Sequence, residues 1–419
     1  MQKTLFTISS LLLSIAILLT GNGLLGTLLT LRGAAETYSE STIGTIMSLY
    51  FAGFMVGTFL CPKLIRRVGH IRTFTVMAAV GSCSTIVYGL WIDPYVWAVA
   101  RLLTGICMVG VYMVIESWLN EQSTNQIRGR VFASYMLVML FFLATGQFLI
   151  LAADITTMTL FAICAGLFSF SLVPVALTRL PEPAPISAIE LDMKKLFRTS
   201  PLGFTGCLVA GLLGSSFWAL GPLFAQKNAL SELGIAAFMS ATILGGACLQ
   251  YPIGIWSDHT DRRRILMYIT FISAAAAAIA IFIPADYPYL LALCMFVYGG
   301  MMFSIYPVSV AHTNDHMEAN EMVATSSNLL LVNGTGAAIG PLLGGILMQS
   351  FGRYSLLVSF VIIGLTLSIY ALHQRRYGVK IMEEDKTAFV PISRTSQVAL
   401  EGIVPVETET DSANGKVEQ

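Results

Sequence analysis

The chain has 419 residues, of which 55% are hydrophobic and only 11% charged, and its 24 Lys and Arg are balanced by 24 Asp and Glu. An ordinary soluble domain is about 25% charged, so this composition excludes a soluble globular protein and places the chain in a lipid bilayer.

A hydrocarbon core roughly 30 Å thick takes about 20 apolar residues to cross as helix. Stretches of that kind are predicted near residues 4–31, 42–65, 72–91, 95–118, 131–152, 156–178, 202–226, 234–256, 264–283, 287–310, 322–349 and 354–373, twelve in all. The first follows Lys3 like a secretory signal, but it runs on through "GNGLLG" with no small-residue cleavage site, which makes it an uncleaved first span. Between the sixth and seventh lies "TRLPEPAPISAIELDMKKLFRTSP", a polar, proline-containing stretch read as a linker. The expected fold is an all-α integral membrane protein of twelve transmembrane helices in two pseudo-symmetric six-helix bundles. Residues 1–178 form the first bundle, 179–201 a cytoplasmic linker, 202–376 the second bundle and 377–419 a disordered cytoplasmic tail. The tail, ending in "VETETDSANGKVEQ", lacks the apolar content to fold alone.

Cytoplasmic loops retain Lys and Arg near helix ends. With the N-terminus inside, only Arg32, Lys227 and Arg353 fall outside and Arg101 falls within a span, leaving 20 of the 24 basic residues in the cytoplasm. Both termini are then cytoplasmic, and the expected location is a bacterial inner membrane. Seven cysteines lie within or at the ends of spans with no CxxC pair, a pattern of small apolar packers and not of a disulfide frame or metal site. His312 and His316 have i, i+4 spacing but no HExxH glutamate, and no P-loop is present, so neither a metal nor ATP hydrolysis is expected.

The halves repeat. Gly105 and Tyr112 match Gly299 and Tyr306 at an offset of 194, as do Gly146 and Gly340, while Gly26 and Arg32 match Gly221 and Lys227 at 195. At an offset of 192 the turn "YPIGIWSDHTDRRR" (Tyr251 to Arg264) corresponds to "PKLIRRVGHIR" (Pro62 to Arg72). The second of these turns in chain order, with Gly254, Asp258, Asp261, Arg262 and Arg263, resembles the loop signature of the major facilitator superfamily of secondary transporters, although Asp261 stands where a glycine is usual. The first keeps Arg67 and Gly69 but has Arg66 in place of the aspartate and Pro62 in place of the first glycine. "ARLLTGICMVG" in span 4, with Arg101 and Gly105, and "GTGAAIGPLLGG" in span 11 extend the resemblance, which is to a bacterial branch whose substrates are largely unassigned. The resemblance implies alternating access: two bundles rock about a central site, and the charged turns latch the cytoplasmic side when it is closed.

It also implies that the substrate path lies at repeat-related spans, and transporters of this kind bind near the bilayer midplane. Arg101 most needs an explanation, because a charge in hydrocarbon costs at least about 2.5–3.5 kcal/mol and usually faces a cavity or a partner. Either it binds an anionic group or organises a proton relay, with Met108 and Tyr112 on the same stripe, or it pairs with Gln147 and ties span 4 to span 5. Asn22, Trp218, Tyr298, Asn328 and Asn333 are further polar candidates, each open to the alternative reading of interhelical glue. Asn328 and Asn333 are five apart and point to different faces, so one cavity is not expected to hold both. Glu116, at the inner end of span 4, is read as a gate latch reaching Arg66, Arg67, Arg128 or Arg130. Gly53 and Gly57, with Gly336, Gly340 and Gly344, allow close helix approach.

The reading is therefore a secondary transporter, not an enzyme. It is expected to act as a monomer on a small solute, with an anion favoured by Arg101, with proton or ion coupling left open, and with no cofactor, metal or nucleic-acid partner. A multidrug or metabolite efflux pump of the same fold, and a non-transporting membrane sensor, are the alternatives.

Overall fold

A computed structural model describes residues 2–124, 127–178, 183, 192–284, 286–318, 321–377 and 395–396. Among the described residues, twelve helices are long and apolar enough to cross a membrane. They are α1 (Gln2–Ala35), α2 (Glu40–Val68), α3 (His70–Leu90), α4 (Pro94–Glu121), α5 (Arg128–Gln147, continued by a 3-10 turn to Ala152), α6 (Thr159–Phe170, continued by Leu172–Ala176), α7 (Pro201–Lys227), α8 (Glu232–His259), α9 (Arg262–Phe282), α10 (Pro288–Asn314), α11 (Met322–Phe351) and α12 (Ser355–Tyr377). A short helix, Met193–Thr199, leads into α7. Most of the predicted linker and tail lies outside the described residues.

Apart from the stretch between α6 and α7, the connections between helices are short, so neighbours run antiparallel and the connections alternate between two faces. The face holding the α2–α3, α4–α5, α6–α7, α8–α9 and α10–α11 connections is called the linker face below.

The duplication sets where helices begin. Ser39 and Ser231, 192 residues apart, cap α2 and α8, each accepting from the backbone N–H three residues on. Pro94 and Pro288, 194 apart, open α4 and α10, where a missing N–H costs nothing. Gly69 and Asp261 stand at the start of α3 and α9; Gly69 has φ 85°, a conformation open to glycine, whereas Asp261 caps with its carboxylate.

Packing within each bundle repeats as well. Gly53 of α2 faces the Leu102 carbonyl of α4 and Gly105 of α4 faces the Tyr50 carbonyl of α2, while Gly245 faces Phe296 and Gly299 faces Thr242 between α8 and α10. In each case a Cβ would sit inside the van der Waals reach of the opposing oxygen, so backbone-to-backbone contact replaces side-chain packing. Gly105→Leu is expected to destabilise by about 1–3 kcal/mol or more through overpacking. Its folded, monodisperse yield should fall relative to Gly129→Ala, a site with open space around it.

Between bundles, the described polar contacts sit away from the linker face. The Ser48 hydroxyl donates to the Ala338 carbonyl, Thr30 donates to Ala219 at 2.9 Å, Ser240 donates to Ala144 at 2.7 Å, and Lys227 pairs with Glu40. Gly44 and Gly345 add backbone approaches to Pro341 and Glu40. All belong to the half of the molecule facing away from the linker, so that face is closed.

A central cavity with one buried cation

Below that closure lies a cavity of about 250 Å³ between the bundles. It runs from Arg101 toward the linker face as far as Thr58, Met136, Gln250 and Thr395. The repeat builds its walls: Met136, Met139, Leu140 and Leu143 of α5 and Leu330, Asn333, Gly334 and Ala337 of α11 line it at matching positions 194 residues apart. Aromatic side chains from both halves, Tyr50, Phe51, Phe54, Trp218 and Phe303, give it a largely apolar surface.

Arg101 breaks the symmetry. Its counterpart 194 residues on is the buried Met295, so the cation comes from the first half alone. It is the single charged side chain among the described residues lining the cavity, and it is 3% exposed. Seven residues from the start of α4, it sits at the closed end of the cavity, about 10 Å deep at helical rise. One terminal nitrogen lies 3.0 Å from the Met47 sulfur, and the guanidinium carbon lies 5.2 Å from the Tyr50 ring centre. Both partners belong to α2, and the ring contributes a cation–π attraction. The Gly105–Tyr50 backbone contact, one turn along α4, sets this spacing. No described carboxylate forms an ion pair with Arg101, and its Nε is buried without a hydrogen-bond partner.

Gln147 does not pair with Arg101. Its amide donates to the Gly23 carbonyl at 2.9 Å and accepts from Thr27 at 2.5 Å, joining α5 to α1, and it is not among the lining residues. Tyr298 also lies outside the cavity lining. Its ring stacks on Phe360 at 5.4 Å and meets Phe217 at 6.3 Å, because α10 turns that position into its own bundle. Met108 is buried away from the lining too. Of the asparagines, Asn22 and Asn333 line the cavity and Asn328 does not. Asn333 also donates to the Cys207 carbonyl at 3.0 Å, so it serves as α7–α11 glue at the cavity wall. Tyr112 and Trp218 both line it. Tyr50, Phe54, Phe303 and Gln250 went unnamed in the sequence reading. Gln250 was within reach of it, since it stands 192 residues after Thr58, another lining residue.

At the α8–α9 turn, the Arg262 side chain, 1% exposed, stands 2.8 Å from an Asp315 oxygen at the end of α10 and 3.3 Å from Asp258. Arg263 grips Asp261 through two nitrogens at 3.0 and 2.9 Å and donates to the Gln374 carbonyl of α12 at 3.2 Å. Burial alone would raise the Asp261 carboxyl, but the hydrogen bond and charge of Arg263 hold it below the usual carboxylate range. Gly254 is buried one turn earlier and accepts from the Ser257 hydroxyl at 2.7 Å. These bonds tie α8, α9, α10 and α12 together within one bundle. The expected latch between bundles is not what they make here, because the inter-bundle contacts lie at the opposite face.

Glu116 departs from expectation as well. It is fully buried, whereas Arg66 and Arg67 are exposed at the end of α2 and neither pairs with it. The Tyr135 hydroxyl of α5 donates to it at 2.9 Å, and the hydroxyls of Thr395 and Ser396 donate to its two oxygens.

The family model described as Major Facilitator Superfamily matches residues 11–238 and 204–394. The uncharacterized MFS-type transporter YcaD of Shigella flexneri is 30% identical over 367 residues, covering 86% of this chain and 94% of its own length. The uncharacterized MFS-type transporter Ent638_1421 of Enterobacter sp. (strain 638) is 28% identical over 364 residues, covering 86% and 92%. Among solved structures, the nucleoside transporter NupG superposes with a TM-score of 0.73 at 13% identity over 90% of this chain and 100% of its own. A bacterial homolog of the human lysosomal transporter Spinster, in an inward-facing and unoccupied conformation, gives 0.73 at 13% over 92% and 98%. A duplicated twelve-helix bundle around a central cavity, matched by the family model over residues 11–394 and by these relatives over 86% of the chain, makes it a member of the Major Facilitator Superfamily and a secondary transporter.

Proposed function

We propose that the cavity carries a small organic anion with an apolar body, moved by alternating access as a monomer across a bacterial inner membrane, with the linker face in the cytoplasm. One observation carries the substrate class. Arg101 is the single charge among the described lining residues, it has no carboxylate partner there, and aromatic and methionine side chains surround it. A buried cation without a counter-ion is costly, and an incoming carboxylate or phosphate offsets that cost with charge-assisted, fork-shaped hydrogen bonds. The apolar walls suit the rest of such a molecule. The sidedness of the basic residues supports a cytoplasmic linker face. The family membership supports transport as the activity of this cavity.

The test is purified protein in liposomes challenged with labelled organic acids, their neutral amides and cationic drugs, with and without a pH gradient. Flux of acids but not amides is the expected result, and a gradient-dependent rate assigns proton coupling. Flux confined to cations or neutral solutes would overturn the anion reading. Alternating access has its own check. A crosslink between Ser48→Cys and Ala338→Cys should lock the face opposite the linker shut, stop flux, and release it again on reduction.

A further inference from the structure

The end of the cavity away from Arg101 has polar groups of its own. Tyr112 and Gln250 both line it and are 5% and 6% exposed. Each stands eighteen residues past the start of its helix, α4 for Tyr112 and α8 for Gln250, and both helices start at the face opposite the linker. Helical rise therefore puts the two in one layer, about 16 Å beyond Arg101 along the helix direction. One comes from each bundle. Between that layer and the arginine the walls are apolar, with Phe54, Met55, Leu140 and Phe303 among them.

Neither side chain is spent on the protein. The Tyr112 hydroxyl and the Gln250 amide make no hydrogen bond to a described residue, and neither is sealed off inside the wall. Thr58, in the same layer on α2, is different: its hydroxyl donates to the Phe54 carbonyl of its own helix at 3.0 Å. The repeat sharpens the contrast. Thr58 is the counterpart of Gln250, and Tyr306, the counterpart of Tyr112, is fully buried away from the lining. At both positions the halves depart from one another in favour of an open polar group on the cavity wall. A glutamine amide supplies two N–H donors and a carbonyl acceptor, and a phenol supplies a donor and an acceptor. Left unpaired in apolar surroundings, such groups carry a desolvation cost that a bound partner removes.

We propose that Tyr112 and Gln250 form a second recognition point, and that the transported solute is two-ended: an anionic group at Arg101, an apolar middle, and at the far end an uncharged hydrogen-bonding group such as a carboxamide or a hydroxyl. The anionic end rests on the reading of Arg101 given above; the far end rests on Tyr112 and Gln250. A second anionic group is disfavoured there, because neither residue carries a charge to offset its transfer from water. A methyl terminus fits the space but leaves the amide unpaired, and a site built to hydrogen-bond a ligand discriminates against an analogue that lacks the group.

The probes are arylalkyl sulfonates, which stay ionised throughout the working pH range, in length-matched pairs ending in a carboxamide or in a methyl group. Binding to full-length protein in detergent is measured by titration calorimetry. Wild-type protein should bind the carboxamide member about three- to tenfold more tightly, the range expected of one neutral hydrogen bond. Gln250→Leu should bring that ratio close to one while the methyl member keeps its affinity, and it should fold, since no described partner of Gln250 is stranded. Tyr112→Phe, which keeps the ring 6.2 Å from Phe54, should lower the ratio in part. Arg101→Ala should weaken both members by the same factor and leave the ratio standing. Equal affinities in the wild type, or a ratio that neither Gln250→Leu nor Tyr112→Phe changes, would overturn the second recognition point, even where Arg101→Ala still weakens both members and so upholds the anion reading. A ratio that follows Gln250 while Arg101→Ala changes neither affinity would overturn the anion reading and keep the second point. Wild-type protein that binds no pair would overturn both.

Discussion

Arg101→Ala is expected to lower anion flux by about ten- to a hundredfold, with folded yield unchanged, and Arg101→Lys is expected to recover only part of the loss. Hydrogen bonds to a charged group contribute about 1.5–3 kcal/mol each, which corresponds to that range of rates or affinities. The two variants differ because guanidinium presents a planar fork to a carboxylate, while the lysine ammonium is a point charge on a flexible stem. The yield should hold because the polar contacts of Arg101 among the described residues are a methionine sulfur and a ring face, and removing it leaves no described partner charge behind. Liposome flux and size-exclusion profiles of the same preparations are the measurements. Normal flux in Arg101→Ala would remove the cation from the binding site and leave it a packing residue of α2 and α4.

The second large effect is on stability. Asp315→Ala is expected to cost about 3 kcal/mol, at the lower end of the roughly 3–5 kcal/mol typical for a broken buried ion pair. Asp315 and Arg262 have 3% and 1% of their side chains exposed, so deleting the carboxylate strands a cation out of reach of water. The lower end applies because Asp258 remains 3.3 Å from Arg262. Replacing both partners together, Arg262→Met with Asp315→Leu, should recover most of the loss, since two apolar side chains of similar volume need no counter-charge. Thermal unfolding of the wild type, Arg262→Met, Asp315→Leu and the double variant measures the coupling. If the double variant also loses the ability to cycle while staying folded, the pair acts in gating as well as in holding the bundle.

Composition, the spacing of apolar runs and the sidedness of Lys and Arg were enough to read twelve helices, two halves and the charged turn. Those properties repeat over twenty residues at a time, and the bilayer permits few solutions: with no water to satisfy backbone groups, each apolar run has to close its own hydrogen bonds as a helix. The duplication was legible for the same reason. Paired caps and glycines such as Ser39 and Ser231, or Gly105 and Gly299, are set by local backbone geometry that both halves share.

The partners of individual side chains were not legible. In a helix with apolar residues all round, periodicity does not say which face meets a neighbour and which meets the cavity. Tyr298 turns into its own bundle and Asn333 to the cavity wall although both are polar groups in mid-span. Gln147 and Arg101, whose pairing was one of two readings of the sequence, went to α1 and α2 respectively. Asp315 as the partner of Arg262, and Thr395 with Ser396 as partners of Glu116, join residues 53 and about 280 positions apart, separations at which no local pattern survives.

The sequence by itself thus determined that the chain is a duplicated twelve-helix membrane protein with a charged turn and one intramembrane arginine, because apolar length, helix start signals and charge are local properties. Only the tertiary structure decided that this arginine, with no described carboxylate paired to it, stands at the closed end of a cavity, and that Thr395 and Ser396 reach Glu116. Both depend on how helices rotate and pack against one another, and that is fixed by contacts between distant segments.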